Sequence, residues 1–385
     1  MTDLPEAKMP HIKFLDGLRC LAISWVFLFH MEMHFGLSDT GLMGFMASRG
    51  WMGVDLFFVI SGFLITSILL REHYATGRIS LPRFYMRRGL RIWPAYYLLV
   101  LLLLGVTLLS SEPAAETTLA TIKWPAMYLT DMYAAYANTE NCAMLHSWSL
   151  AIEEQFYLLW PLLLFWNVKW SKRIAILAVI GIALWRTWLT FHLPEGVIAM
   201  RRTYYAPDTR MDQILYGAIL AFVMMHPVQS KWLAGALKRR AVQIGAIALF
   251  LAALYFNVRW SGHIGNAVGY SMTALSMALG LGYLITAKPR WILAALEWGP
   301  IMYVGRISYG MYLVSPFVIG AVRWAVPRPS SSLEVIALGI AAYAGTVLVA
   351  TLSYRYFEAP FLRLKAKFSA QSRREIGTRL VAENS

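Results

Sequence analysis

Long runs of apolar residues, separated by short polar segments, make up most of the chain. A transmembrane helix needs about 20 predominantly apolar residues to cross the ~30 Å hydrocarbon core of a bilayer. Ten segments meet this requirement, so we predict an all-α integral membrane protein, a bundle of about ten transmembrane helices. The predicted segments cover residues 14–36, 52–71, 93–111, 148–166, 173–192, 208–226, 241–257, 266–286, 300–322 and 335–356.

The amino-acid composition favours the same fold class. Hydrophobic residues make up 58% of the 385 residues and charged residues 15%, whereas soluble domains are about 25% charged. Of the two cysteines, Cys20 lies inside an apolar run and Cys142 in a polar segment. These features exclude a two-domain soluble enzyme and a secreted scaffold held together by disulfides.

The charge balance is strongly positive and bears on orientation. The sequence holds 35 Lys and Arg residues against 21 Asp and Glu, a formal net charge of +14. In a soluble protein this excess favours nucleic acid as a partner. In a membrane protein it follows from the enrichment of Lys and Arg in cytoplasmic loops. Basic clusters at 71–91, 169–173, 231–240 and 363–379 all fall on one side of a ten-span topology, so we expect no nucleic-acid partner.

This topology places both termini in the cytoplasm. Residues 1–12 are then a cytoplasmic N-terminus, 13–362 the membrane domain and 363–385 a basic cytoplasmic tail. The outer segment 112–146 contains acidic residues, prolines and a run of small residues. We therefore expect that segment to be a loop.

Ionisable side chains inside the apolar segments are the first candidates for chemistry, because a charge in a membrane is costly. In the first segment, Asp16 precedes Arg19 by three residues, and His30 follows Arg19 by eleven. At 100° per residue, all three side chains share one helix face. A stripe that only packs against other helices is the alternative, but three ionisable groups together favour a functional role.

Three further carboxylates lie near the predicted outer ends of segments. Asp55 opens the second segment, and Glu153 and Glu154 are adjacent in the fourth. Adjacent helical residues point about 100° apart. We therefore expect one glutamate to face a site while the other pairs with an arginine.

Arg210 and Asp212 begin the sixth segment. Each of these two residues can neutralise a buried group of opposite charge on a neighbouring helix. This structural interpretation has at least as much weight as a catalytic one.

Three arginines, Arg87, Arg88 and Arg91, lie within five residues before the third segment. Arg88 and Arg91 are neighbours on a helix at positions i and i+3. Guanidinium groups bind phosphate in a bidentate manner, which favours an anionic ligand. A topology signal that contacts anionic lipid headgroups is the alternative.

The helical rise of 1.5 Å per residue gives relative depths. His30 lies about 24 Å above the inner start of its segment, and Asp55, Glu153 and Asp212 lie about 5–8 Å below the outer interface. The arginine cluster of residues 87–91 lies at the opposite face. We expect His30, Asp55 and at least one of the two glutamates to line one polar cavity above that cluster.

The order and spacing of these motifs resemble those of the membrane acyltransferase family 3, multi-span proteins that acylate hydroxyls of bacterial surface glycans, lipids or small molecules. Weaker similarities lie at Arg210 and Asp212, at 308–313 and at 354–361. The main similarities are Arg19 and His30 with ten residues between them, the stretch 53–62, the arginines Arg87, Arg88 and Arg91, and the stretch 148–157.

The resemblance implies acyl-CoA, usually acetyl-CoA at the cytoplasmic face, as donor and a glycan or lipid-linked hydroxyl as acceptor. It implies catalytic roles for His30 and Arg19, and coenzyme-phosphate contacts for Arg87, Arg88 and Arg91. It also implies a bacterial cytoplasmic membrane protein without a permanently bound cofactor or metal. Many members have a histidine after the Tyr-Leu of the late motif, where this chain has Val314 and Ser315. We expect this difference to alter acceptor choice.

Acyl transfer from a thioester needs a base for the acceptor hydroxyl and positive charge for the developing oxyanion. Neutral His30 suits the base, with Asp55, Glu153 or Glu154 as its orienting partner. Arg19 lies about 16 Å from His30 along the helix, too far for contact. A covalent acyl-histidine is an alternative mechanism. A transporter that uses the same charges as a relay, or a purely structural membrane partner, is an alternative function.

Overall fold

The computed structural model describes residues 12–37, 41–111, 113–137, 141–194, 197–259, 265–327, 329 and 331–364. All regular secondary structure within these ranges is helical. The predicted N-terminus of residues 1–12 and the basic tail of 363–385 lie almost entirely outside the described residues.

Ten helices in the described ranges have 18 or more residues. They are α1 (Phe14–Phe35), α3 (Met52–Thr76), α4 (Leu81–Leu108), α8 (Trp148–Trp166), α9 (Val168–His192), α11 (Pro207–Met225), α13 (Arg240–Arg259), α14 (Tyr270–Ala287), α16 (Gly299–Ala325) and α17 (Ser332–Leu352).

Shorter helical elements connect or extend these ten. The short α-helices are α2 (Leu42–Ala47), α5 (Pro113–Thr121), α6 (Lys123–Ala126), α7 (Thr130–Tyr136), α10 (Val197–Tyr205), α12 (Pro227–Leu237) and α15 (Arg290–Leu296). A 3-10 turn, Leu145–Ser147, precedes α8, and π-helical segments occupy Gly265–Gly269 and Ser353–Glu358.

Each of the ten predicted apolar segments coincides with one of the long helices, so the all-helical fold class is confirmed. By length and apolar composition, six helices in the described part of the chain suffice to cross a membrane. A seventh span results if residues 198–225 and 227–237, which meet at an angle of 110°, are one broken span. The count of ten spans and the cytoplasmic termini stay predictions.

Local sequence signals account for the helix ends. Proline occupies the first turn of α4, α11, α12 and α16, where its missing N–H costs no hydrogen bond. Asn167 caps α9, since its side-chain oxygen accepts from the N–H groups of Lys169 and Trp170 at 3.0 and 3.1 Å. Gly77 ends α3 in a left-handed conformation, with φ of +71°.

Two predictions about element boundaries are wrong. Helix α4 begins at Leu81 rather than 93, because arginine is a good helix former and lets the helix continue through the charged cluster. The segment 112–146 is not a loop, since the helices α5, α6 and α7 lie within it. Pro113 is the first residue of α5, so this proline starts a helix instead of interrupting one.

Helix α3 lies in the interior of the bundle, where glycines permit very close packing. The apolar window of α3 is 72% buried, whereas that of α17 is 22% buried and faces outward. A Cβ atom on Gly62 of α3 would lie 1.8 Å from the carbonyl oxygen of Ile214 in α11. A Cβ on Gly217 would lie 2.0 Å from the carbonyl oxygen of Val59. Backbone contact between α3 and α11 therefore depends on both glycines.

We expect Gly62→Ala to destabilise the fold, because the added methyl group forces the two backbones apart. The free energy of unfolding should fall by about 1–3 kcal/mol, as for other overpacked interiors. Thermal unfolding in detergent measures the change. Gly105→Ala in α4 is the control, since no described atom lies within 4 Å of its Cβ position. Equal unfolding temperatures for the two variants would contradict this packing account.

Candidate active site

A polar cavity of about 90 Å³ lies among helices α1, α3, α4, α8 and α16. This volume has room for several water molecules or a short acyl group. Its charged and polar lining consists of Arg19, Ser61, Arg88, Arg91, Ser149, Glu153, Tyr157, Ser308, Tyr309 and Tyr312.

The cavity carries an excess of positive charge. Arg19 comes from α1, and Arg88 and Arg91 come from successive turns of α4. Asp16 pairs with Arg19 at 3.2 Å, and the Arg88 guanidinium lies 4.6 Å from the centre of the Tyr157 ring. Because the described lining contains three arginines and a single carboxylate, Glu153, the cavity favours an anionic ligand.

Glu153 and Glu154 diverge as predicted, but the expected pairing of the second glutamate with an arginine is wrong, since Glu154 accepts from Trp93. The Ser61 hydroxyl donates to Glu153 Oε1 at 2.7 Å, and the Tyr157 hydroxyl donates to Oε2 at 3.0 Å. Glu153 therefore faces the cavity, and each of its carboxylate oxygens accepts a hydrogen bond. Glu154 faces α4 instead, where the indole N–H of Trp93 donates to its Oε2 at 3.2 Å.

The structure divides the predicted arginine cluster. Arg88 and Arg91 line the cavity, whereas Arg87 lies 3.6 Å from the Glu72 carboxylate at the end of α3. Residues 87 and 88 point about 100° apart on α4, which explains the separation. The prediction of one three-arginine cluster is therefore wrong for Arg87.

Asp55 forms a buried ion pair with Arg210 rather than facing His30. Arg210 Nη2 donates to Asp55 Oδ1 at 2.7 Å, and both side chains are fully buried. The Arg210 guanidinium lies 4.0 Å from the centre of the Tyr270 ring and 4.9 Å from that of Tyr204. Asp55 and Arg210 thus join α3 to α11, which supports the structural interpretation of Arg210.

Asp212 forms a second buried ion pair, with an arginine that the sequence analysis missed. Arg186 Nη1 donates to both carboxylate oxygens of Asp212 at 3.1 Å, and the Ser271 hydroxyl donates to Oδ2 at 2.7 Å. Arg186 and Asp212 are both fully buried. A lone arginine near the middle of the apolar segment 173–192 was the signal that would have found this pair.

His30 lies on α1 but does not line the cavity. Its ring faces His146 of the 3-10 turn before α8, with 6.5 Å between the ring centroids and 81° between the ring planes. No role was predicted for His146 from the sequence, although it stands two residues before the motif that begins at residue 148. Burial lowers the pKa of His146 to about 4, so its ring is neutral at neutral pH.

Tyr312 connects the cavity to the turn that carries His146. Its hydroxyl donates to the His146 carbonyl oxygen and shares a hydrogen bond of 2.7 Å with the Ser149 hydroxyl. Ser315 lies one turn after Tyr312 on α16 and is fully buried. Its hydroxyl has no hydrogen-bond partner among the described residues.

The expected common cavity for His30, Asp55 and Glu153 is therefore wrong, since Glu153 alone of the three lines it. Glu153 also shares the cavity with Arg88 and Arg91, so the predicted separation of the arginines from Glu153 across the membrane is wrong too. The longer α4 explains this error, because Arg88 and Arg91 lie inside the helix and both line the cavity.

The chain is similar to known acyltransferases. The sequence model of a family described as "Acyltransferase domain" matches residues 12–355. The peptidoglycan O-acetyltransferase OatA of Listeria monocytogenes is 28% identical over 376 residues, which cover 91% of this chain and 56% of the relative. The O-acetyltransferase OatA of Staphylococcus aureus is 29% identical over 372 residues, which cover 90% of this chain and 56% of the relative.

The chain thus spans just over half the length of these curated relatives. No solved structure matches it. The family match confirms the resemblance on which the sequence analysis relied.

Proposed function

The chain belongs to the membrane acyltransferase family 3, and from this premise we propose that it transfers an acetyl group from acetyl-CoA to a hydroxyl of a bacterial envelope glycan. The observation that carries the proposal is the arginine-lined cavity among helices α1, α3, α4, α8 and α16. Peptidoglycan is the acceptor in the printed name of the Listeria relative, which supports a glycan hydroxyl here. The bacterial cytoplasmic membrane is the location that fits such an acceptor.

Arg88 and Arg91 are the proposed contacts for the anionic part of the donor. Both line the cavity, and both are guanidinium groups that suit bidentate contacts to phosphate. Arg19 lies in the same cavity on a different helix, where it suits stabilisation of the negative charge that develops on the thioester oxygen. Glu153 offsets part of the positive charge and holds Ser61 and Tyr157 in place.

His30 is the proposed general base. It takes the proton of the acceptor hydroxyl, whose oxygen then attacks the carbonyl carbon of the thioester. The C–S bond breaks, the coenzyme thiolate leaves, and the imidazolium returns the proton to sulfur. The products are the acetyl ester and coenzyme A. Ser315, buried one turn beyond Tyr312, is proposed to influence which acceptor binds.

The double variant Arg88→Ala/Arg91→Ala should raise the KM for acetyl-CoA by at least about tenfold, because each charge-assisted contact contributes about 1.5–3 kcal/mol. Arg87→Ala is the matched control, since Arg87 pairs with Glu72 outside the cavity. Steady-state kinetics at saturating acceptor measures both effects. An equal increase in KM for the control would show that general positive charge, rather than the cavity, binds the donor.

The proposed function is tested by acceptor-dependent release of coenzyme A. Purified protein in sealed proteoliposomes is given acetyl-CoA enclosed inside, with soluble glycan strands prepared from peptidoglycan as the acceptor outside. We expect the release of coenzyme A to be matched by ester formed on the glycan. Movement of acetyl-CoA or glycan across the membrane without ester formation would support a transporter and overturn the proposal.

A further inference from the structure

His30 needs a partner that fixes its tautomer if it is to act as a base, and none of the predicted carboxylates supplies one. Asp55 pairs with Arg210, Glu153 with Ser61 and Tyr157, and Glu154 with Trp93. The Nδ1 atom of His30 is buried and has no hydrogen-bond partner among the described residues. Buried polar atoms in folded proteins nearly always have such a partner.

His146 presents the complementary atom. Its Nε2 is also buried and without a hydrogen-bond partner in the described part of the chain. The backbone of Leu313 lies beside the His146 ring and favours a proton on the other nitrogen, Nδ1. A neutral imidazole that donates from Nδ1 carries an acceptor lone pair on Nε2. His146 therefore offers an acceptor where His30 needs one.

The separation of the two rings fits a bridged contact. Their centroids are 6.5 Å apart and their planes nearly perpendicular, which is too far for a direct hydrogen bond of about 2.9 Å. A hydrogen-bonded link between the two nitrogens therefore requires one bridging water. The aromatic rings of Tyr312 and Phe317, each 5.8 Å from the His146 ring, hold the histidine in place.

We propose that His146 is the positioning residue for His30. It accepts, through one water, a hydrogen bond from His30 Nδ1–H, and so directs the lone pair of His30 Nε2 at the acceptor hydroxyl. In a catalytic triad, a carboxylate often orients the histidine that acts as the base. Here the imidazole of His146 takes the place of that carboxylate. The inference rests on the proposed function, since it assigns a role within that reaction.

When His30 takes the hydroxyl proton, the imidazolium shares its Nδ1 proton with His146 through the bridge. No net proton leaves the pair, and His30 returns its proton to the departing thiolate. His146 therefore affects the rate of transfer rather than donor binding, because it lies outside the arginine-lined cavity.

Two amide substitutions separate positioning from packing. In His146→Gln the side-chain amide reaches the position of Nε2 and keeps an acceptor there. In His146→Asn the shorter side chain reaches only the position of Nδ1, so it keeps the contact with the Leu313 backbone but loses the acceptor. A packing role predicts that the larger void in His146→Asn lowers the unfolding temperature and donor binding together with kcat. A positioning role predicts that kcat alone falls in His146→Asn and is kept in His146→Gln.

We expect His146→Asn to lower kcat for acetyl transfer to glycan strands by at least about tenfold, comparable to other losses of a group that orients an imidazole. The KM for acetyl-CoA should be unchanged, and His146→Gln should keep most of the wild-type kcat. Wild-type turnover in both variants, or an equal loss in both, overturns the role of His146. A loss of donor binding that matches the loss of kcat marks a general folding defect and also overturns it.

The same experiment separates this inference from the proposed function. If the wild-type protein shows no acceptor-dependent release of coenzyme A, the proposed function fails, and the role of His146 fails with it. If the wild type is active but Asn and Gln do not differ in the predicted order, the role of His146 fails alone.

Discussion

Replacing His30 by alanine is expected to lower the rate of acetyl transfer by about 10²- to 10⁴-fold, the usual contribution of a positioned general base. The protein should still insert and fold, because alanine is readily accommodated in an apolar helix. The measurement is the rate of coenzyme A release with saturating acetyl-CoA and glycan strands. Donor binding should be retained, since His30 lies outside the cavity lined by Arg88 and Arg91.

His192→Ala is the matched control for this variant. His192 is exposed at the end of α9, and its Nδ1 contacts the carbonyl oxygen of Trp188 within the same helix. The control should therefore keep wild-type turnover. Turnover close to that of the wild type in His30→Ala would contradict the assignment of His30 as the base.

The second large effect concerns the stability of the bundle. Asp55→Ala should lower the free energy of unfolding by about 3–5 kcal/mol, because it leaves the fully buried Arg210 without its counter-charge. Thermal or denaturant unfolding in detergent measures this loss. Replacing both partners by apolar residues, as in Asp55→Leu/Arg210→Met, should cost less than Asp55→Ala, since no uncompensated charge then remains.

Asp208→Ala provides the comparison at an ion pair near the surface. Asp208 pairs with Arg202 at 2.5 Å, but its side chain is 46% exposed, so its loss should cost less than that of the fully buried Asp55. If Asp55→Ala and Asp208→Ala destabilise the protein equally, the buried pair does not hold α3 and α11 together as described.

The positions of the long helices could be predicted because apolar runs of membrane length are a strong signal. The predicted segment 148–166 has the same bounds as α8, and the other nine segments each overlap a long helix. The predicted boundaries of a segment were wrong where charged residues interrupt an apolar run. Arg88 and Arg91 lie within α4, since a helix that faces a polar cavity continues through charged residues.

The composition of the candidate site was predictable in part. Helical spacing correctly separated Glu153 from Glu154, and the structural interpretation of Arg210 matches its pairing with Asp55. Which carboxylate meets which base could not be derived, because that depends on helix packing rather than on position along one helix. Arg186 competes for Asp212 from a distant segment, and no spacing rule connects them.

The contact between His30 and His146 could not be predicted from the depth of each residue along its helix. The rise per residue placed His30 and the carboxylates at similar heights, but height alone does not say which side chains face each other. The 3-10 turn of Leu145–Ser147 brings His146 opposite His30, and the hydrogen bonds of Tyr312 hold that turn. Contacts of this kind join residues more than a hundred positions apart and follow from the tertiary fold.

We propose that an acetyl group passes from a donor held at Arg88 and Arg91, on the inner side of the membrane, to a glycan hydroxyl on the outer side. Sealed proteoliposomes with isotope-labelled acetyl-CoA enclosed and glycan strands outside test it most directly. We predict labelled ester on the external glycan, dependent on His30 and reduced by Arg88→Ala/Arg91→Ala. Ester that forms only when donor and acceptor share one compartment would contradict the account.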